Sequence, residues 1–245
     1  MKFFTPILLL ISTLTFANTE QSAYDILKKV DENMRGQNVY MQMKIAITSS
    51  THQRTMKVQT WAQGNKKSFV KTIYPPKDQG ITFLSLDNQM WQYVPKIERV
   101  IKIPPSMMLQ NWMGSDITND DMVKQSSIVD DYDATILKTQ NNLVTLELIP
   151  KEDAAVVWGK IISVIDTSNY TNKKDTFYDE DGIEVRTFSY DKVKKVGKYY
   201  LPTYWKISPS DKKGSFTEIF IEDVKYDTDI SEQYFKKSAL KRFSR

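Results

Sequence analysis

Residues 39–47 read "VYMQMKIAI". Positions 39, 41, 43, 45 and 47 are all Val, Met or Ile, and the positions between them are Tyr, Gln, Lys and Ala. A period of two places every apolar side chain on one face of an extended chain. The stretch therefore predicts a half-buried antiparallel strand. The same signal spreads outward. "RTMKVQTWAQ" (54–63) and "KKSFVKTIY" (66–74) read as strands on either side of the turn signal Gly64-Asn65. "PPKDQG" (75–80) interrupts the pattern. "ITFLSL" (81–86), "QMWQYVP" (89–95) and "RVIKI" (99–103) follow, with turns at Asp87-Asn88 and Pro95-Lys96.

Strand patterns resume around residue 132 and recur to residue 226, punctuated by Asn141-Asn142, Asp181-Gly182, Gly197 and 208–214. About eleven strands are expected, with no Pro/Ser-rich linker and no internal repeat, so residues 18–245 read as one domain. A sheet this wide curls or closes to bury its apolar face. Before the first strand, "AYDILKKVDENMRG" (23–36) predicts a helix. Tyr24, Leu27 (with Ile26), Val30 and Met34 form its apolar stripe, Ser22 caps its start and Gly36 ends it. "ISEQYFKKSALKR" (230–242) predicts a closing helix with Ser231 as N-cap.

The 245 residues are 40% hydrophobic and 26% charged, an ordinary globular balance. Residues 1–17 read as a secretory signal peptide: Lys2, an apolar run from Phe3 to Leu14, and the small residues Thr15 and Ala17 at a cleavage site. The run is too short to span a bilayer, which takes about 20 residues. Export to a periplasm is expected, with no lipobox because the chain has no Cys. Cleavage would remove one Lys from a net charge of +4, leaving a mild positive balance and no case for nucleic-acid binding.

Composition also excludes chemistry. His52 is the only histidine, and it lies in the turn "SSTHQRT" (49–55). A Ser-His-Asp triad would need it as base, and zinc normally needs several His or Cys ligands. There is no Walker loop, GxSxG or GxGxxG. No catalytic residue, metal or cofactor is expected. In "SDITNDDM" (115–122), Asp116, Asp120 and Asp121 do not match an EF-hand loop. Thr118 and Asp121 instead resemble a reciprocal cap at a helix start.

Large soft side chains concentrate between residues 56 and 113. Trp61, Phe69, Phe83, Met90, Trp91 and Tyr93 are candidates to line an apolar cavity. "IPPSMMLQNWMGSD" (103–116) adds Met107, Met108, Leu109, Trp112 and Met113. Met108/Trp112 and Leu109/Met113 are i, i+4 pairs, predicting a short helix apolar around most of its circumference. Such a helix needs cover from the protein's own core or from a hydrophobic ligand. Met suits the second use because it adapts its shape.

The segments "ILKKVDENMRG", "RTMKVQTWAQGNKKSFVKTIYPPKDQGITFL" and "DNQMWQYVPKIERVIKIPPSMMLQNWMGSDITNDDMV", with "YYLPTYWKI" and "ISEQYFKKSAL", resemble the LolA-like outer-membrane lipoprotein-sorting proteins, in the branch linked to RND-type exporters. The resemblance implies a mainly β fold with α: a strongly curved half-open antiparallel β-barrel whose open side is covered by helices. It implies a periplasmic carrier, expected to be a monomer. Such a carrier takes lipoprotein acyl chains or another lipid from an inner-membrane exporter, of ABC or RND type, to an outer-membrane acceptor. An arginine on an early strand holds the lid in that family, and Arg54 lies in a similar region. The alternative reading is a binding or sensor module that uses the same groove for a peptide or protein partner.

Overall fold

The structure is a computed structural model. It describes residues 21–124 and 128–245. The expected signal peptide lies outside the described residues.

Thirteen strands form one sheet: β1 (Asn38–Thr48), β2 (Gln53–Gln63), β3 (Lys67–Tyr74), β4 (Thr82–Leu86), β5 (Gln89–Val94), β6 (Arg99–Ile103), β7 (Tyr132–Gln140), β8 (Leu143–Pro150), β9 (Lys160–Asp166), β10 (Thr171–Tyr178), β11 (Glu184–Val196), β12 (Tyr199–Pro209) and β13 (Phe216–Tyr226). The expected eleven undercounts the alternating segments, of which six lie before residue 104 and seven after residue 131; Asp87, Asn88 and Asn141 in the tight turns all have positive φ. Every pairing is antiparallel, and the order is β6-β5-β4-β3-β2-β1-β13-β12-β11-β10-β9-β8-β7. The two chain-terminal strands β1 and β13 pair in the middle, from Val39–Tyr226 to Thr48–Phe216, with one bulge between Gln42 and Met43. The sheet is open, with β6 and β7 as its edges.

Helices α1 (Ala23–Arg35), α2 (Asn119–Lys124), α3 (Ile128–Asp131) and α4 (Lys237–Arg242) complete the fold. The Ser22 hydroxyl accepts from the Asp25 N–H at 3.1 Å, and Gly36, at φ 55°, closes α1 by donating to the Glu32 carbonyl at 2.9 Å. Its buried face is Ala23, Ile26, Leu27 and Val30; Tyr24, expected in the stripe, points to water. The C-terminal segment forms a 3₁₀ turn over Glu232–Phe235, capped by Ser231, and then α4, with a break at the extended residue Lys236.

The strands use both faces. Ile45, Met56, Val58, Val70, Phe83, Met90, Trp205 and Ile219 belong to one large core, together with the buried face of α1 and with Trp112. Residues of opposite parity on β3–β5, Phe69, Leu84, Trp91 and Tyr93, form a second core with Ile230, Phe235, Ala239 and Leu240 from the C-terminal segment. Curvature follows from one helix. α2 packs against β4 and β5, yet its Asp121 is ion-paired with Arg186 on β11. Six inter-strand steps of about 4.8 Å separate β4 from β11 along the sheet. A six-residue helix is about 9 Å long, so the sheet must curl around it.

Candidate functional site

The inner face of the curl encloses a cavity of about 170 Å³. Its wall is built by strand alternation: Met41, Met43 and Ile45 from β1, Val58, Thr60 and Ala62 from β2, Val70 from β3, Phe188 from β11, Trp205 and Ile207 from β12, and Ile219 from β13. Trp112, Ile117, Asp121, Met122 and Val123 form the opposite side. Polar residues gather at one end: Asn65, Lys66 and Lys67 of the β2–β3 turn, Asn88, and Arg35 at the end of α1. Arg35 is ion-paired with Asp31. Burial pushes the Asp31 carboxyl up to about 6, although Arg35 pulls it down.

Segment 104–124 closes this side; α2 starts at the cap read from the sequence, but residues 107–113 are not the short helix that their spacing suggested. Pro104 is extended, a single 3₁₀ turn covers Pro105–Met107, and Met113 takes a left-handed φ of 53° followed by Gly114 at 74°. The chain then doubles back. Trp112 N–H donates to the Ile117 carbonyl at 2.7 Å, Asn119 N–H to Gln110 at 3.0 Å and Asp120 N–H to Met108 at 2.9 Å. The left-handed turn at Met113 and Gly114 breaks helical bonding, so the i, i+4 pairs do not share faces. Trp112 is 1% exposed, Met108 and Met113 are half-buried, and Met107 and Leu109 face water.

Three polar anchors hold this roof to both halves of the sheet. Arg54 on β2 donates to the Met113 carbonyl at 2.8 Å and pairs with Asp78 at 2.6 Å. The Asp116 N–H donates to the Thr217 hydroxyl at 2.9 Å, and that hydroxyl donates to the Asp116 carboxylate at 2.7 Å. Arg186 on β11 makes a fork with Asp121, at 2.5 and 2.7 Å, and reaches the Asp116 carbonyl at 3.3 Å. Its guanidinium lies 4.4 to 4.8 Å from the ring centres of Trp158, Phe177 and Phe188. At 3% exposure this charge needs its carboxylate. Asp121 also completes the cap read from the sequence: Thr118 N–H donates to its carboxylate at 2.7 Å, and its own N–H donates to the Thr118 hydroxyl at 3.1 Å.

Beyond Asp121 and Phe188 lies a second, smaller cavity of about 50 Å³, bordered by both residues and by Tyr132, Trp158, Asp175 and Tyr190. Asp175 is buried and accepts from Ser163 at 2.5 Å, Tyr190 at 2.7 Å and Asn172 at 2.8 Å. Burial raises its carboxyl above the usual range, against the pull of those three donors.

A family model described as "-like: Uncharacterized protein" matches residues 64–242, most of the chain. The chain belongs to that family. Among curated proteins, none matches the sequence. Solved structures share its fold. A DUF1329 family protein from Desulfovibrio piger superposes with a TM-score of 0.82 at 22% identity, over 89% of this chain and 97% of that one. An outer-membrane lipoprotein-sorting protein domain from Vibrio parahaemolyticus gives 0.79 at 21% identity, over 90% and 98%. A LolA superfamily protein from Nitrosomonas europaea gives 0.76 at 21% identity, over 90% and 100%. The chain has the fold of these three proteins.

Within this LolA-like fold the residues singled out by size divide between two faces. Phe83, Met90, Met108, Trp112 and Met113 lie in or against the inner core, and Trp112 alone of the eleven lines the larger cavity. Trp61, Phe69, Trp91 and Tyr93 lie on the outer face, where Trp61 stacks on Tyr234 with ring centres 4.7 Å apart. Strand parity explains the split. Val58, Thr60 and Ala62 face inward, so Trp61 faces outward; Ser68 and Val70 face inward, so Phe69 does not. The residues that size overlooked are Met34, Met41, Met43 and Met122, all on the cavity wall. Met41 and Met43 carry their signal in the alternation of 39–47 itself. His52 sits in the exposed β1–β2 turn, 2.8 Å from Ser49, and does not border the cavity. No helix among the described residues is long and apolar enough to cross a membrane.

Proposed function

We propose that this protein is a periplasmic carrier that holds the acyl chains of a lipoprotein, or another lipid, in the cavity between β1–β3, β11–β13 and segment 104–124. The observation that carries this reading is a methionine-rich apolar wall beneath a separately anchored roof. Exposed hydrocarbon costs about 0.8 kcal/mol per CH₂, so a lipid crossing water needs a dry shelter. The cavity is below the roughly 300–1,000 Å³ of a ligand pocket. Loading therefore requires the roof to swing away, with Arg54 as its latch and the Met side chains reshaping around the cargo. The exporter, of ABC or RND type, and the outer-membrane acceptor belong to this proposal, as do a cleaved leader at residues 1–17, a single domain over 18–245 and a monomeric state. An apolar cavity suits hydrocarbon better than a peptide, which needs polar backbone partners.

The test is native mass spectrometry on protein purified from its own cell envelope, alongside binding of a fluorescent fatty-acyl probe. Bound lipid and saturable probe binding are expected in the natural sequence. Ala62→Phe, which fills the cavity, should abolish both while the protein remains folded. Absence of lipid and probe from the natural sequence would overturn the reading.

A further inference from the structure

Two polar groups on the cavity wall have no hydrogen-bond partner among the described residues: the indole Nε1 of Trp112 and the hydroxyl Oγ1 of Thr60. Buried donors are nearly always satisfied, and one left alone costs as much as a lost hydrogen bond. Val has nearly the shape of Thr without the hydroxyl, and Phe would keep an aromatic ring at 112 without the N–H. Neither group is needed by the roof, whose anchors are Arg54, Asp116 and Asp121.

The register locates them. Thr60 pairs with Val70, and Val70 pairs with Phe83. The Phe83 ring lies 5.2 Å from the Trp112 ring. Two strand spacings of about 4.8 Å thus separate Thr60 from the strand beneath Trp112. Two donors set apart along the wall suit a molecule with several carbonyl groups better than a single cargo oxygen.

We propose that Trp112 and Thr60 form a carbonyl-binding subsite, so that the preferred cargo is a multiply acylated molecule recognised through its ester or amide carbonyls as well as its chains. This rests on the carrier reading and narrows its cargo. Hydrocarbon gives affinity without register, because a chain can slide along an apolar wall. A carbonyl held at Trp112 would fix how far the chains enter.

The test compares two lipids with the same headgroup and chain length, dioleoyl phosphatidylglycerol and its dioleyl ether analogue, which lacks only the two carbonyls. The natural sequence should prefer the ester form by about three- to tenfold for each donor engaged. Thr60→Val and Trp112→Phe should each reduce that preference, and the double variant should erase it while still binding the ether lipid. Thr60→Val should also raise the melting temperature of the lipid-free protein, since it removes an unpaired buried hydroxyl. Equal affinity for the two lipids in the natural sequence would overturn the subsite and leave the carrier reading standing. Variants that weaken both lipids alike would overturn it too, by showing that the donors serve water rather than cargo. If the natural sequence binds neither lipid, the carrier reading itself falls.

Discussion

The two faces of β2–β5 come from the same strands and are built differently. The outer face is closed by the protein itself. Phe69 is fully buried among Trp61, Tyr234 and Phe243, with ring centres 5.6 to 6.0 Å away, and the Thr82 hydroxyl donates to the Leu240 carbonyl at 2.7 Å. The inner face carries smaller or softer side chains, Val58, Thr60, Ala62 and Val70, opposite Met122 and Trp112, with space between. One face is packed for permanence and the other leaves room. On β2 and β3 the large aromatic residues Trp61 and Phe69 mark the packed face, so size alone does not pick out the cavity wall.

The largest effect should come from breaking the packed face. Phe69→Ala is expected to lower unfolding free energy by about 3–5 kcal/mol in urea denaturation, and a much smaller loss would mean that the outer face is loosely packed. Next is the roof. Asp121→Asn leaves the Arg186 guanidinium buried without its counter-charge and should cost about 3 kcal/mol by the same measurement. Retained stability would place Arg186 in water and detach the roof from β11.

The third prediction concerns the cavity mouth and pH. The Asp31 carboxyl titrates near 6 in the folded protein, above its unfolded value of about 3.9. The folded state thus holds this proton more tightly. Its stabilising contribution is complete below about pH 4 and is lost as pH rises through about 6. Asp31→Asn should flatten the pH dependence of melting temperature across that window, removing about 1–2 kcal/mol of slope. An unchanged profile would show that Asp31 is already well solvated. The smallest effect belongs to the inner face. Met43→Leu conserves volume and should change stability by less than about 1.5 kcal/mol. Acyl-probe uptake should slow all the same, because the stiffer side chain reshapes less easily. A loss above about 3 kcal/mol would erase the contrast between the faces.

Much of the fold was legible because alternation is a local signal. Residues 39–47 announce β1, and the same parity, carried through the turn at Gly64-Asn65, would have sent Trp61 and Phe69 outward. The 103–116 segment was misread because spacing alone does not make a helix. The left-handed Met113 and Gly114 reverse the chain, and spacing carries no signal of a residue at positive φ. The Asp121–Arg186 pair was illegible because it joins residues 65 apart through the curl of the sheet. One hint existed: Arg186 shares its strand face with Phe188 and Tyr190, so a charge stood at a position due for burial, where it needs a partner.

The sheet never closes, since β6 and β7 remain free edges. In a closed barrel, strand number and stagger fix the girth. An unclosed one has no such constraint, and its form is that of a leaf spring. Its edges can spread or approach through small changes of twist at every strand, without breaking a ladder hydrogen bond. For the cargo proposed above, thickness would then be a continuous variable to which the wall yields.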